Sequence, residues 1–155
     1  NLTFDGDLLF IHGSIRYDGI NLGTAEGFGE IVTYGSGTLM QGRVYHLTST
    51  NNWSAAHGDN VSGQATGQLA IALGTSVADG MLLRGFARFT GNSPYTQMSQ
   101  YGEIQYLSPY ASNIGQFTKT RPSSSGEMVR IVGYCVNTYA DILYFDPDNT
   151  FLEID

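Results

Sequence analysis

The chain has 155 residues, of which 41% are hydrophobic and 14% are charged, with 20 glycines and a formal net charge of -7. Its six arginines and single lysine are too few to line a phosphate backbone, and no apolar run approaches the roughly 18–20 residues of a membrane span, so we expect neither nucleic-acid binding nor membrane insertion. The lone cysteine, Cys135, excludes an internal disulfide framework and a multi-cysteine zinc site.

The first segment, residues 1–28, predicts very short strands joined by tight turns. Asp5-Gly6, His12-Gly13 and Asp18-Gly19 provide turn residues that tolerate positive φ, and only three or four apolar residues lie between successive turns. Strands of this length bury too little surface to be stable alone. We therefore expect a shaft-like β segment that needs partners, either another domain or further copies of the chain.

From residue 29 onward the sequence indicates an internal duplication. The stretch Gly42–Ser49 resembles Gly102–Pro109, and the stretch Gly67–Gly74 resembles Gly126–Gly133. The spacing between the two stretches is nearly the same in both copies. We therefore predict two related β units.

The two predicted units cover residues 29–96 and 97–155, and each has turn signals every 8–12 residues, as in small barrels and sandwiches. Helix signals are almost absent, so the predicted fold class is all-β. The stretches 49–65 and 109–125 are predicted to be loops. The predicted core consists of large apolar side chains within the strand-like runs: Leu69, Ile71, Leu73, Leu83, Phe86, Phe89, Met128, Ile131, Val132, Ile142, Tyr144, Phe151 and Ile154.

Three parts of the chain resemble virion structural proteins of tailed bacteriophages. The opening Asn1–Leu9 is similar to the short repeated strands of fibre shafts, and 64–89 resembles phage structural sequences that include head-decoration proteins. The stretch from Gly126 to Ile154 is similar to the C-terminal end of many virion proteins, with Phe151 where these often carry Trp. The resemblance implies a β-rich, homotrimeric, non-enzymatic part of the extracellular phage particle.

This resemblance implies the distal domain of a fibre or appendage that attaches the phage to its host. The implied partners are further copies of the chain, other virion proteins and a host-surface glycan or protein. A capsid decoration protein that stabilises the phage head is the alternative from a different class. A depolymerase that degrades surface polysaccharide is a third possibility.

The titratable residues form no pattern typical of a catalytic or metal site. His12, His46 and His57 lie far apart, and a metal site needs three converging ligands. The oxygen-rich stretch 146–150 lacks the glycine and the distal glutamate of an EF-hand loop, so it is predicted to be a turn. We expect no catalytic residues, no metal and no cofactor.

Aromatic residues beside small polar neighbours are the best candidates for receptor or glycan contact. Such rings stack on sugar faces while neighbouring amides and hydroxyls bind the sugar hydroxyls. For Trp53 a second interpretation stays open, in which the ring fills a barrel end or a subunit interface. The candidate contact residues are Asn51, Asn52, Trp53, Tyr95, Tyr101, Tyr110 and Tyr139.

Overall fold

The computed structural model of the chain describes residues 27–59, 64–89, 98–110, 112, 114–137 and 142–155. The predicted shaft segment at 1–28 therefore lies almost wholly outside the described residues, as do Tyr95 and Tyr139. The all-β prediction is confirmed, because the regular structure in the described part consists almost entirely of short strands, with a 3-10 turn at Val77–Asp79. The described residues contain no helix long and apolar enough to cross a membrane.

Eleven strands are present in the described residues. They are β1 Gly27–Val32, β2 Val44–Leu47, β3 Trp53–Ala55, β4 Leu69–Ala72, β5 Met81–Arg88, β6 Ile104–Leu107, β7 Phe117–Thr118, β8 Met128–Val129, β9 Ile131–Asn137, β10 Ile142–Phe145 and β11 Leu152–Glu153. Two of them, β3 and β7, lie in stretches that were predicted to be loops. They are too short to give a strand signal of their own, and they are strands because β2 and β6 offer them a paired edge.

Nine of these strands form one curled, half-barrel sheet with the order β3-β2-β4-β5-β10-β9-β6-β7, and β1 also pairs with β5. All the pairings are antiparallel. A strand has only two edges, and β1 occupies one edge of β5 from Met81 to Ala87. Strands β4 and β10 therefore follow one another along its other edge. We call β2, β3 and β4 lobe 1, and β6, β7, β9 and β10 lobe 2.

Two clusters of buried apolar side chains stabilise this arrangement. The main core combines side chains of both lobes, including Ile71 of lobe 1 with Leu107 and Phe145 of lobe 2. The second cluster packs the opposite face of lobe 1, including Trp53, against Leu39 of the segment 33–42. Lobe 1 is therefore covered on both faces.

The predicted core agrees with the structure at six of its thirteen positions. Six of the predicted residues are buried, namely Leu69, Ile71, Phe89, Met128, Val132 and Ile142. Six more are partly exposed: Leu73, Leu83, Phe86, Ile131, Tyr144 and Ile154. The prediction is wrong for Phe151, which is 44% exposed, because it precedes a two-residue strand that pairs only with β8.

A row of glycines crosses the middle of the sheet. Gly29 pairs with Gly85, which pairs with Phe145, which in turn pairs with Gly133. All three glycines have positive φ, between 138° and 155°, and a Cβ at any of them would overlap the backbone of the neighbouring strand. Their missing side chains allow these neighbouring strands to approach closely.

The same backbone hydrogen bonds occur around β2 and around β6. The amide of Gly42 donates to Ala72 O over 2.7 Å, and that of Gly102 donates to Cys135 O over 2.7 Å. The strand pairings around them are also alike, since His46 on β2 pairs with Leu69 on β4 and Tyr106 on β6 pairs with Ile131 on β9.

We expect the buried His46 to make folding stability depend on pH. Burial lowers the pKa of His46 below its ordinary value of 6.5. At pH values below 6.5, His46 takes up a proton more readily in the unfolded chain than in the folded chain. The free energy of unfolding therefore falls as the solution is acidified. Urea unfolding from about pH 7.5 to about pH 5.5 should show a shallower decline for His46→Gln than for the wild type. Equal declines would contradict this role of His46.

Candidate functional site

The most prominent depressions described in the structure adjoin each other on the outer side of β1 and β5. One has a volume of about 520 Å³ and is polar, with Gln68, Asp146 and Asn149 in its lining. The other has a volume of about 330 Å³ and is lined by Phe28, Phe86 and Tyr144. Both include Glu30 and Arg84, so we treat them as one continuous surface and call it the cleft.

Strand register brings the charged residues of the cleft together. Glu30 on β1 lies directly opposite Arg84 on β5, and Asp146 follows the last residue of β10. The guanidinium of Arg84 binds the carboxylate of Asp146 through two contacts, with Nε to Oδ1 at 3.1 Å and Nη2 to Oδ2 at 3.3 Å. Both side chains are well exposed, so their ion pair contributes little to the stability of the fold.

Strand register also builds the aromatic half of the cleft. Phe28 lies opposite Phe86, and Phe86 lies opposite Tyr144. The Phe86 and Tyr144 rings are tilted, with centroids 5.0 Å apart. Three aromatic side chains from three strands therefore lie side by side on a solvent-facing surface.

Arg84 joins the two halves of the cleft. A hydrogen bond with Tyr144 raises the pKa of Arg84 above its ordinary value, and the charge of Asp146 raises it further. The guanidinium is therefore a permanent cation at the boundary between the aromatic side chains and the polar ones. This combination suits a ligand that has both an apolar face and many hydroxyl groups.

One other residue of the cleft, Arg130, is buried and structural. Its guanidinium donates to three backbone carbonyls, those of Ala65 at 2.6 Å, Gly67 at 2.8 Å and Asp148 at 2.9 Å. Burial lowers the pKa of Arg130 to about 10. Arg130 thus ties the turn before β4 to the turn after β10, and both turns border the cleft.

The turn prediction for residues 146–150 is confirmed. The Thr150 amide and hydroxyl both donate to Asp148 Oδ1, at 2.9 and 2.8 Å. These bonds lower the pKa of Asp148, the backbone bond being the larger cause. The turn orients Pro147 and Asn149 along the cleft wall.

Trp53 is not a surface aromatic. Its side chain is 2% exposed and its Nε1 donates to Tyr34 O over 2.8 Å. The segment 33–42 covers it, and the polar neighbours that suggested a surface loop are engaged in fixing that segment. The Ser36 amide donates to Asn51 O over 3.1 Å, and the Ser36 hydroxyl donates to Asn52 Oδ1 over 3.2 Å. Between the two interpretations of Trp53, the structure therefore favours a ring that fills the interior.

Two predicted contact residues are on the surface but outside the cleft. Tyr101 is 63% exposed in the turn before β6, and Tyr110 is also exposed, beyond the far end of the same strand. The strand between them keeps them apart, so the predicted contact residues that the structure describes are not gathered into one site. The sequence analysis missed Glu30, Arg84 and Asp146, because no local motif indicates that they meet.

Comparisons with protein-family models, with curated proteins and with solved structures find no match to this chain. Among the described residues, no three His, Cys, Asp or Glu side chains are grouped closely enough to hold a metal ion.

Proposed function

We propose that the chain is the distal domain of a bacteriophage fibre or appendage, and that its cleft binds a glycan on the host surface. The observation that carries the glycan part is the juxtaposition of an aromatic surface with the charged and amide side chains of the cleft. The virion context comes from the sequence resemblance described above.

The chemistry of the cleft matches the two-sided nature of a sugar. The rings of Phe28, Phe86 and Tyr144 offer apolar area for the C–H face of a pyranose. The paired Arg84 and Asp146 offer adjacent donors and acceptors, and such planar groups form two-point hydrogen bonds with neighbouring hydroxyls. A ligand held in this way gains both burial of apolar surface and orientation.

The proposed role is binding without catalysis. A glycosidase needs one carboxyl group that is protonated before it acts on the leaving oxygen. Both carboxylate oxygens of Asp146 contact the guanidinium of Arg84, an arrangement that suits a fixed acceptor of hydrogen bonds. The proposal therefore needs no catalytic residue and no cofactor.

The proposed assembly is a homotrimer in the virion, with each chain built from two related β units. The recurrence of the Gly42 and Gly102 hydrogen bonds supports the two units. Exposed large hydrophobic side chains on several described strands and turns support contacts with further copies or with other virion proteins.

Capsid decoration is the second candidate. It is favoured by the small β8–β11 ribbon, on which Phe151 and Leu152 are exposed. Exposed apolar side chains beside a strand pair suit a contact with a neighbouring capsid protein. This role requires no glycan binding by the cleft.

A panel of purified bacterial surface polysaccharides tests the cleft. We expect the wild-type chain to bind at least one of them, and Arg84→Met and Asp146→Asn to raise its Kd by about tenfold or more, equivalent to about 1.4 kcal/mol. Tyr101→Ser, outside the cleft, is the matched control and should bind like the wild type.

Other results would separate the alternatives. If Tyr101→Ser lost binding while the cleft variants bound normally, the binding site would lie at Tyr101, in the turn before β6, and not in the cleft. If the labelled chain bound over the whole capsid surface and bound no polysaccharide, its function would be capsid decoration and not attachment to the host. Release of oligosaccharides would indicate a depolymerase.

A further inference from the structure

The aromatic half of the cleft is one end of a longer row of side chains that crosses the sheet. Phe28 on β1 pairs with Phe86 on β5, and Phe86 pairs with Tyr144 on β10. Tyr144 pairs in turn with Tyr134 on β9, and Tyr134 pairs with Ile104 on β6. Side chains paired in this way have Cβ atoms about 4.5–5.5 Å apart. We call Phe28, Phe86, Tyr144 and Tyr134 the aromatic row.

The pattern of burial places the aromatic row on the outer face of the sheet. Phe28 is 45% exposed and Tyr134 is 41% exposed, and Phe86 and Tyr144 are partly exposed. The residues before and after the row on β5, β10 and β9 are all buried, namely Gly85, Ala87, Leu143, Phe145, Gly133 and Cys135. Because successive side chains of a strand point to opposite faces, the four rings share one face and the main core lies behind the other.

The charged residues of the cleft lie beside one part of the row. Glu30 on β1 and Arg84 on β5 are each two positions from a row member, and therefore on the same face as the rings. Asp146 follows β10 and binds Arg84. Tyr134 lies one strand beyond these groups, so a ligand held in the cleft reaches it only by extending over β9.

The aromatic row is longer than a single sugar. Neighbouring strands lie about 4.8 Å apart, so four side chains on four adjacent strands extend over about 14 Å. One pyranose stacks on one aromatic side chain, and a row of this length therefore accommodates several linked sugars. A glycan chain bound along the row would cross β1, β5, β10 and β9 in turn.

We propose that the aromatic row binds an interior stretch of a linear glycan, which lies across the strands from the cleft to Tyr134. A glycan is the occupant because the row is continuous with the Arg84–Asp146 pair, whose donors and acceptors suit hydroxyl groups. Side chains spaced at regular strand intervals also suit a polymer with a repeating unit. The inference rests on the proposed function and specifies its substrate class, a linear polymer bound along its length and not by a terminal sugar.

Oligosaccharides of increasing length test the inference. They are prepared by partial acid hydrolysis of a polysaccharide that the wild-type chain binds, separated by size and titrated by calorimetry. The Kd of the wild type should fall as sugars are added until the row is filled, and should then stay constant. A Kd that is the same for a monosaccharide and for the longest oligosaccharide would overturn the inference and leave glycan binding by the cleft intact.

Tyr134→Ser removes the part of the row that lies beyond the cleft. It should raise the Kd for the longest oligosaccharide about fivefold or more and leave the Kd for a disaccharide unchanged, because the cleft alone holds the shorter ligand. Unchanged disaccharide binding also shows that the variant is folded. Tyr134→Phe keeps the ring and should bind like the wild type. Tyr101→Ser, the matched control outside the row, should bind every length like the wild type.

The remaining outcomes would count against the aromatic row. An equal loss of affinity at every length in Tyr134→Ser, or the same loss in Tyr134→Phe, would overturn the stacking of sugars on Tyr134. A change in molar mass of Tyr134→Ser, measured by light scattering, would make the row a contact between copies of the chain. Failure of the wild type to bind any polysaccharide would overturn the proposed glycan binding together with this inference.

Discussion

Replacing Arg130 by methionine should lower the free energy of unfolding by about 3 kcal/mol or more. The Arg130 side chain is 2% exposed and is the common donor to the carbonyls of Ala65, Gly67 and Asp148. Methionine fills much of the same volume but donates no hydrogen bond, so three carbonyls that faced a cation would lose their donor. Urea unfolding followed by the fluorescence of the single, buried Trp53 measures the change.

Arg84→Met is the matched control for this prediction. Arg84 borders the same cleft, but its side chain is 59% exposed and its carboxylate partner is accessible to water. The urea midpoint of Arg84→Met should therefore lie close to that of the wild type, since exposed ion pairs contribute little to stability. Equal urea midpoints for Arg130→Met and Arg84→Met would contradict a structural role for Arg130.

Replacing Gly133 by alanine should destabilise the protein by about 3 kcal/mol or more. Gly133 has a φ of 155°, and a Cβ there would overlap the carbonyl oxygen of Tyr144 on the adjacent strand. The conflicting atom belongs to the backbone of β10, so β9 and β10 would have to separate at the centre of the sheet. The measurement is again the urea midpoint, with the soluble yield as a second readout for a variant that folds poorly.

Gly67→Ala separates the effect of φ from that of close strand approach. Gly67 has a φ of 71°, and a Cβ there would meet nothing within 4 Å. The free energy of unfolding of Gly67→Ala should be about 1 kcal/mol below that of the wild type, the usual cost of placing an alanine in the left-handed region. If Gly133→Ala were no less stable than Gly67→Ala, the close approach of β9 and β10 would not be what requires glycine at position 133.

The strands were predictable from local pattern. Strand β5 reads as a strand because its apolar run is bounded by Asp79-Gly80, and the turn before β6 is marked by Gly102, whose φ is 75°. Both signals depend on only a few neighbouring residues, so they can be recognised without knowing which strands pair with each other. The strands β3 and β7 were missed because a two- or three-residue strand exists only through its neighbour.

The candidate site was not predictable from the sequence. Glu30, Arg84 and Asp146 belong to three separate stretches, and only the pairing of β1 and β10 with β5 brings them together. The prediction of Trp53 as a surface contact residue was wrong for the same reason. Its polar neighbours are typical of an exposed loop, but the segment 33–42 folds over the ring and uses those neighbours as hydrogen-bond partners.

The amino-acid sequence by itself determined the all-β class, the positions of most strands and turns, and the low charge of the surface. These properties depend on side-chain type and on spacing over a few residues. Only the tertiary structure decided which face of each strand is buried, because a face is covered or exposed according to what packs on it. Two apolar strand residues show this: Val44 of β2 is fully buried, whereas Ile104 of β6 is partly exposed.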